Sequence, residues 1–253
     1  MAHPNTASAQ CSSDGPILSG IAALFLAFGF TVAILDAAFG RDPIDVNANV
    51  YPWSSVGKIY NSARASCTGS LIAPDRVLTA AHCVYNRATR RFLQASSLHF
   101  LLGYRGGEYR THARVASYLV GSDYNPEDAN ASIRADWAIL ILAESTEATP
   151  LPLREAPAMA GERIMVGGFS QKHPFKMTAD TTCRVRGVTA NGLVAHDCAV
   201  MHGISGAPVM KIITETNVEI IGVHVASGEV MGSPMAFAVP ASSFAELASS
   251  PQP

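Results

Sequence analysis

From Val50 onward the apolar positions of this chain fall into short runs separated by turn-forming residues, with few helical periods among them. Six runs come first: Trp53–Tyr60, Cys67–Ala73, Arg76–Thr79, Leu98–Gly103, His112–Val120 and Trp137–Leu142. Six more follow: Arg163–Phe169, Cys183–Thr189, Gly192–Cys198, Ala207–Ile213, Val218–Val225 and Met235–Val239. Short strands at this spacing predict an all-β chain closed as a sandwich or a barrel. Ala190-Asn191-Gly192 reads as a hairpin turn roughly midway between Cys183 and Cys198, which puts those two cysteines on facing strands where a disulfide is geometrically reasonable. Between the two sets, Glu144–Ala160 contains Pro150, Pro152 and Pro157 and predicts an extended linker. Ala241–Ser249 predicts a short closing helix with Phe244 and Leu247 on one face.

The first forty residues differ in kind. Ile17–Leu35 is an uncharged stretch of 19 residues rich in Ala, Leu, Phe and Ile, long for the apolar part of an export signal and just long enough to span a bilayer. No Lys or Arg precedes it, and Ala38-Phe39-Gly40 supplies small residues where a signal peptidase would cut, close to Arg41. A cleaved export signal over residues 1–40 is the first reading and a retained membrane anchor the second. Residues 41–253 are left for the folded part.

Composition narrows the partners. Lys and Arg total 18 against 20 Asp and Glu, and both surplus acids, Asp14 and Asp36, precede Arg41. The remainder is charge-balanced, without the basic excess that nucleic-acid binding requires. Of five cysteines, Cys67, Cys83, Cys183 and Cys198 form two pairs local in sequence, and Cys11 lies in the leader. They lack the C-x-x-C clusters of metal sites, so two disulfides and an oxidising compartment, secreted or periplasmic, are expected. His99, His112, His173 and His196 show no metal-ligand spacing. No cofactor is expected.

Three stretches can carry chemistry: Leu78-Thr79-Ala80-Ala81-His82-Cys83, Asp136-Trp137-Ala138-Ile139-Leu140 and Gly203-Ile204-Ser205-Gly206-Ala207-Pro208. Taken singly, each has a bland explanation as a core histidine, a turn-forming aspartate and a glycine-rich turn. Together they meet one chemical need. A serine hydroxyl becomes a nucleophile when an imidazole accepts its proton, and the imidazole needs a carboxylate to hold its tautomer. The glycines let the backbone turn so that the amides of Gly203 and Ser205 face a developing oxyanion. The order His, Asp, Ser excludes the α/β-hydrolase order, and Ala207 replaces the last glycine of G-x-S-x-G. The subtilisin order, Asp, His, Ser, fails as well.

On T-A-A-H-C at 79–83, D-W-A-I-L at 136–140 and G-I-S-G-A-P at 203–208, the chain resembles the chymotrypsin/trypsin-like serine peptidases over roughly Tyr51 to Val239. The resemblance implies two six-stranded antiparallel β-barrels, the first over about 50–143 and the second over 161–240, with His82, Asp136 and Ser205 in the cleft between them. It also implies that a Cys67–Cys83 bridge pins His82 against the first barrel. Tyr51-Pro52-Trp53-Ser54 and Cys67-Thr68-Gly69-Ser70-Leu71-Ile72 resemble the bacterial glutamyl-endopeptidase branch. Ile204 stands where trypsin has the aspartate that pairs with a new N-terminus, so activation by that ion pair has no counterpart here. The resemblance places Ala199 and Val200 at the floor of the substrate pocket, with His224 and Ser227 on its opposite wall. Cleavage of protein or peptide substrates after Glu or Asp is expected, with small or medium apolar residues as the alternative. Val200 stands where that branch has a hydroxyl residue. A monomeric endopeptidase is expected, and a catalytically inactive binding protein on the same scaffold is the rival.

Overall fold

The computed structural model describes residues 41–61, 66–214 and 216–249. Cys11, the stretch 17–35 and the junction 38–40 lie outside these. Among the described residues no helix is long and apolar enough to cross a membrane.

The described chain is almost wholly β. It starts with β1 (Ile44–Asp45), then β2 (Val56–Asn61), β3 (Ser66–Ala73) and β4 (Arg76–Thr79). A small ribbon of β5 (Tyr85–Asn86) and β6 (Arg91–Phe92) precedes β7 (Leu98–Leu102), β8 (Thr111–Val120) and β9 (Ala138–Leu142). β2, β3, β4, β9, β8 and β7 close, in that order, into an antiparallel barrel. Its strands show why: β7 alternates buried and half-buried positions, so Leu98, Phe100 and Leu102 all point inward. Ile59, Leu71, Val77 and Leu140 fill the rest of that interior.

The second set comprises β10 (Arg163–Gly168), β11 (Thr178–Val188), β12 (Val194–His196), β13 (Pro208–Ile212), β14 (Val218–Val230) and β15 (Ser233–Pro240). Ring closure follows because β11 is long: it pairs with β10 near Gly168 and with β12 near Val188, completing a second six-stranded antiparallel barrel. β1 adds to the outside of β11. Ile164, Val166, Val185, Val194, Val209 and Ile221 fill this barrel, beside the Cys183–Cys198 disulfide. Cys67–Cys83 is the second bridge. The expected two-barrel fold is therefore present.

Details differ from the expected boundaries. Trp53–Ser55 forms a 3-10 turn ahead of β2, so that strand starts later than the apolar run. β14 and β15 continue as a long exposed hairpin through Val230 and Ser233, where polar and glycine residues mask the strand pattern. The closing helix is shorter, α1 (Ala245–Ser249), and its expected apolar pair is split. Phe244 precedes it and packs on Trp137 at 5.9 Å between ring centres, whereas Leu247 is 45% exposed. In the stretch 144–160, Leu151 is fully buried, its amide donating to Leu71, while Arg154 donates to Ile220.

Candidate active site

β4 and β9 run antiparallel with Thr79 opposite Ala138. Three residues on from Thr79 and two back from Ala138, the chain leaves the barrel at one edge, so His82 and Asp136 emerge side by side. Ala80 and Ala81 have no exposed surface, which lets the 3-10 turn Ala81–Val84 lie against the barrel. Asp136 grips His82 at two points. Oδ1 accepts the backbone N–H of His82 at 2.9 Å, and Oδ2 lies 2.7 Å from ring Nδ1. The aspartate is buried while the imidazole retains about a fifth of its surface, so the ring is held from behind and open in front. The carboxylate also reaches Tyr124, whose phenol is pushed up by burial first and by Asp136 second.

The 203–208 turn is carried by the second barrel and docked on the first. Ser205 accepts from the amide of Thr68 at 2.9 Å through its carbonyl, and that same carbonyl lies 3.8 Å from Cys83 Sγ, next to His82. Gly206 donates to the carbonyl of His224 at 2.8 Å. Gly206 has φ +81°, and a Cβ there would sit 2.2 Å from both the Thr68 carbonyl and Thr79 Oγ1; only glycine allows this contact. The turn therefore brings Ser205 to the edge where His82 and Asp136 emerge. Among the described residues, neither Ser205 Oγ nor His82 Nε2 has a hydrogen-bond partner, and acid–base contacts of this kind tighten when substrate is bound. The neighbouring amides of Ile204, Gly206 and Ala207 all donate within the fold. Those of Gly203 and Ser205 have no acceptor among the described residues, so two N–H groups of this turn are unengaged.

Ala199 and Val200 are buried, and Val200 shares a buried cluster with Ile204 and Ala207 of this turn. Val200 belongs to the same buried cluster as Ala236 and Ala238, the cross-strand partners of Ser227 and His224. Ser227 is exposed and His224 is 4% exposed. Sequence reasoning assigned no role to His196, yet its ring meets that of His224 edge-on at 5.7 Å between centres. The pair sits on either side of β15, where His196 faces Ala236 and Ala238 faces His224. His196 is pushed down to about 3 by burial, and His224 well below its ordinary value by burial, then by His196 and His82. Both are neutral at pH 7. Asp180 was also missed: it is buried, and its Oδ2 accepts the Ala199 amide at 2.9 Å and Arg41 Nε at 3.2 Å, bracing the 199–200 stretch. Nothing in its Thr-Ala-Asp-Thr context marks it. The one cluster of three metal-type ligands among the described residues is Cys67, His82 and Cys83, whose sulfurs are consumed by the disulfide.

The trypsin family's sequence model matches residues 44–248. The chain is 28% identical over 181 residues to serine protease SP24D of Anopheles gambiae, covering 62% of this chain and 61% of that protein. It is 29% identical over 224 residues to CLIP domain-containing serine protease B9 of the same species, covering 69% and 53%. The chain thus spans under two thirds of the length of these curated relatives. Among solved structures, a Glu endopeptidase in complex with MPD is similar in fold, with TM-score 0.70 and 21% identity, covering 83% of this chain and 97% of that one. A human heparin binding protein follows at TM-score 0.62 and 21% identity, covering 83% and 98%.

Proposed function

This chain belongs to the trypsin family, and on that premise we propose that it is an exported serine endopeptidase in which His82, Asp136 and Ser205 form the catalytic triad. The observation that carries the reading is the two-point grip of Asp136 on His82. With Oδ2 accepting from Nδ1–H, the lone pair of the imidazole sits on Nε2, and in this reading Nε2 serves Ser205. Ser205 Oγ attacks the scissile carbonyl carbon as Nε2 takes its proton, and the carbonyl oxygen becomes an oxyanion held by the amides of Gly203 and Ser205. Collapse breaks the C–N bond, Nε2–H passes its proton to the leaving amine, and an acyl-Ser205 ester remains. Water then attacks that ester with His82 again as base, releasing the acid and regenerating the hydroxyl.

Export fits the two disulfides, which form in oxidising compartments. In this reading residues 1–40 are the leader and 41–253 the peptidase domain, with barrels over about 50–143 and 161–240 and the linker 144–160 between them. The secreted fraction is expected to react with a fluorophosphonate probe and to begin at or close to Arg41. A secreted chain that ignores the probe overturns the enzyme, and one that still carries Ile17 overturns the leader.

Within that reading the residue before the cut is acidic, bound between His224 and Ser227. Neutral His224 gains a proton when a substrate carboxylate lies against it, because an opposite charge offsets the burial that keeps it neutral. The complex then binds more protons than the free enzyme, so affinity for an acidic residue rises as pH falls. The ratio of dissociation constants for product peptides ending in Leu and in Glu isolates this effect, since His82 acts on both. The ratio is expected to grow several-fold from pH 8 to pH 5.5 in favour of Glu. A flat ratio, or a preference for Leu throughout, replaces acidic specificity with the small apolar pocket that Ala199 and Val200 alone would form.

A further inference from the structure

Lys58 is 7% exposed, and among the described residues no carboxylate lies within ion-pair distance of its ammonium. A buried, unpaired cation is costly unless its surroundings replace water and counter-ion. Here Nζ donates to the carbonyl of Pro174 at 2.7 Å and sits over the Tyr104 ring at 4.6 Å from its centre. Burial holds its pKa below the ordinary lysine value. Lys58 is on β2 in the first barrel, while Pro174 is on the segment after β10 in the second.

What that segment does follows from its other bonds. Lys58 lies directly opposite Thr68 across β2 and β3, so both side chains share one face. Thr68 Oγ1 accepts the amide of Phe169 at 3.0 Å, so this cross-strand pair holds both ends of the stretch 169–174. Tyr104 joins them, its ring meeting Phe169 edge-on at 5.7 Å, and Gly106 adds a bond to the carbonyl of Phe175 at 2.8 Å. At the middle of the stretch, the Gln171 amide donates to the carbonyl of His202 at 2.7 Å. The peptide between His202 and Gly203 is planar and trans, so its C=O and N–H point in opposite directions. Fixing the His202 carbonyl on Gln171 therefore fixes the Gly203 N–H away from it. Gly203 has φ +95°, and a Cβ on it would lie 2.8 Å from the Gln171 nitrogen.

We infer that Lys58 is a positioning residue for catalysis: by anchoring the 169–174 segment from the first barrel, it sets the orientation of the 202–203 peptide and hence of the Gly203 oxyanion donor. This rests on the serine-peptidase reading and deepens it. It also names a part that does the ordering in a chain whose Ile204 cannot pair with an N-terminal amine.

The test compares wild type, Lys58→Met and Lys58→Arg with one peptide substrate, measuring kcat and KM separately with near-UV circular dichroism as the fold control. Outright loss of an oxyanion donor lowers kcat roughly a hundred- to a thousandfold. Lys58→Met, which keeps the packing volume but not the charge, is expected to lower kcat about tenfold to a hundredfold with KM within about threefold. Lys58→Arg is expected to recover most of kcat. A Met variant with wild-type kcat overturns the inference, as does a kcat loss that Arg fails to restore. Should the Met variant lose its near-UV signature, Lys58→Gln, whose uncharged side chain is one bond too short to keep the 2.7 Å contact with the Pro174 carbonyl, is read the same way. The enzyme assignment is judged on wild type alone, by its turnover, so failure of one reading is distinct from failure of the other.

Discussion

Ser205→Ala is expected to reduce kcat on a peptide substrate by roughly 10⁶-fold while leaving the fold intact. The size follows from what remains. Alanine cannot form the acyl ester, so the imidazole of His82 has no proton to take and the two-step path is closed. The amides of Gly203 and of residue 205 are backbone groups and survive, which leaves roughly 10³- to 10⁴-fold acceleration over the uncatalysed reaction. Stability should hardly move. The turn is fixed by the Ser205 carbonyl, the Gly206 amide and the packing of Ile204, none of which uses the hydroxyl. Ser205 Oγ has no partner among the described residues, so its removal orphans nothing. The measurement is single-turnover hydrolysis alongside thermal unfolding. If the chain were an inactive binding protein on this scaffold, wild type and variant would be equally inert, and that outcome removes the triad from the account.

How much of this site the sequence discloses depends on which atoms do the work. In the proposed triad, His82, Asp136 and Ser205 act through side chains with particular neighbours in sequence, and those short contexts are visible as text. The barrels are visible because closing a small barrel demands alternating apolar positions, and β7 obeys that demand. Lys58 is hidden for the converse reason. The run from Val56 to Asn61 is buried at every position but Tyr60, since one face fills the first barrel and the other meets the second. A lysine there reads as an ordinary outward-facing polar residue until the second barrel is in place. Asp180 and Arg41 are hidden likewise, because they meet across 139 residues of sequence. His196 lacks any metal spacing, and its contact with His224 exists only because β12 and β14 both flank β15. Contacts of this kind depend on strand order, which no local pattern encodes. The long hairpin of β14 and β15 escaped for another reason: exposed on both faces at its tip, it has no burial to impose alternation.

Asp136→Asn tests the part of the site on which the proton path depends, and its expected effect is about a 10⁴-fold loss of kcat with the fold retained. The carboxylate accepts twice, from the His82 backbone N–H at Oδ1 and from the ring at Oδ2. A carboxamide has only one oxygen and cannot satisfy both donors. With its oxygen toward the backbone, the NH₂ faces Nδ1 and forces the proton onto Nε2, where it blocks acceptance from Ser205. With its oxygen toward the ring, the NH₂ opposes the His82 N–H in a nearly sealed place, and the turn bearing His82 loses the bond that seats it. The first arrangement preserves every hydrogen bond of the turn, so it is the favoured one, and it is the one that stops proton transfer. Thermal stability should fall by no more than about 1–3 kcal/mol, the range for a buried polar pair left imperfectly matched. The oxyanion amides are untouched, so a peptide aldehyde or boronate that needs them should still bind measurably. Turnover within tenfold of wild type, in a variant that unfolds at the wild-type temperature, would show that the carboxylate merely seats the turn and that some other group sets the imidazole tautomer.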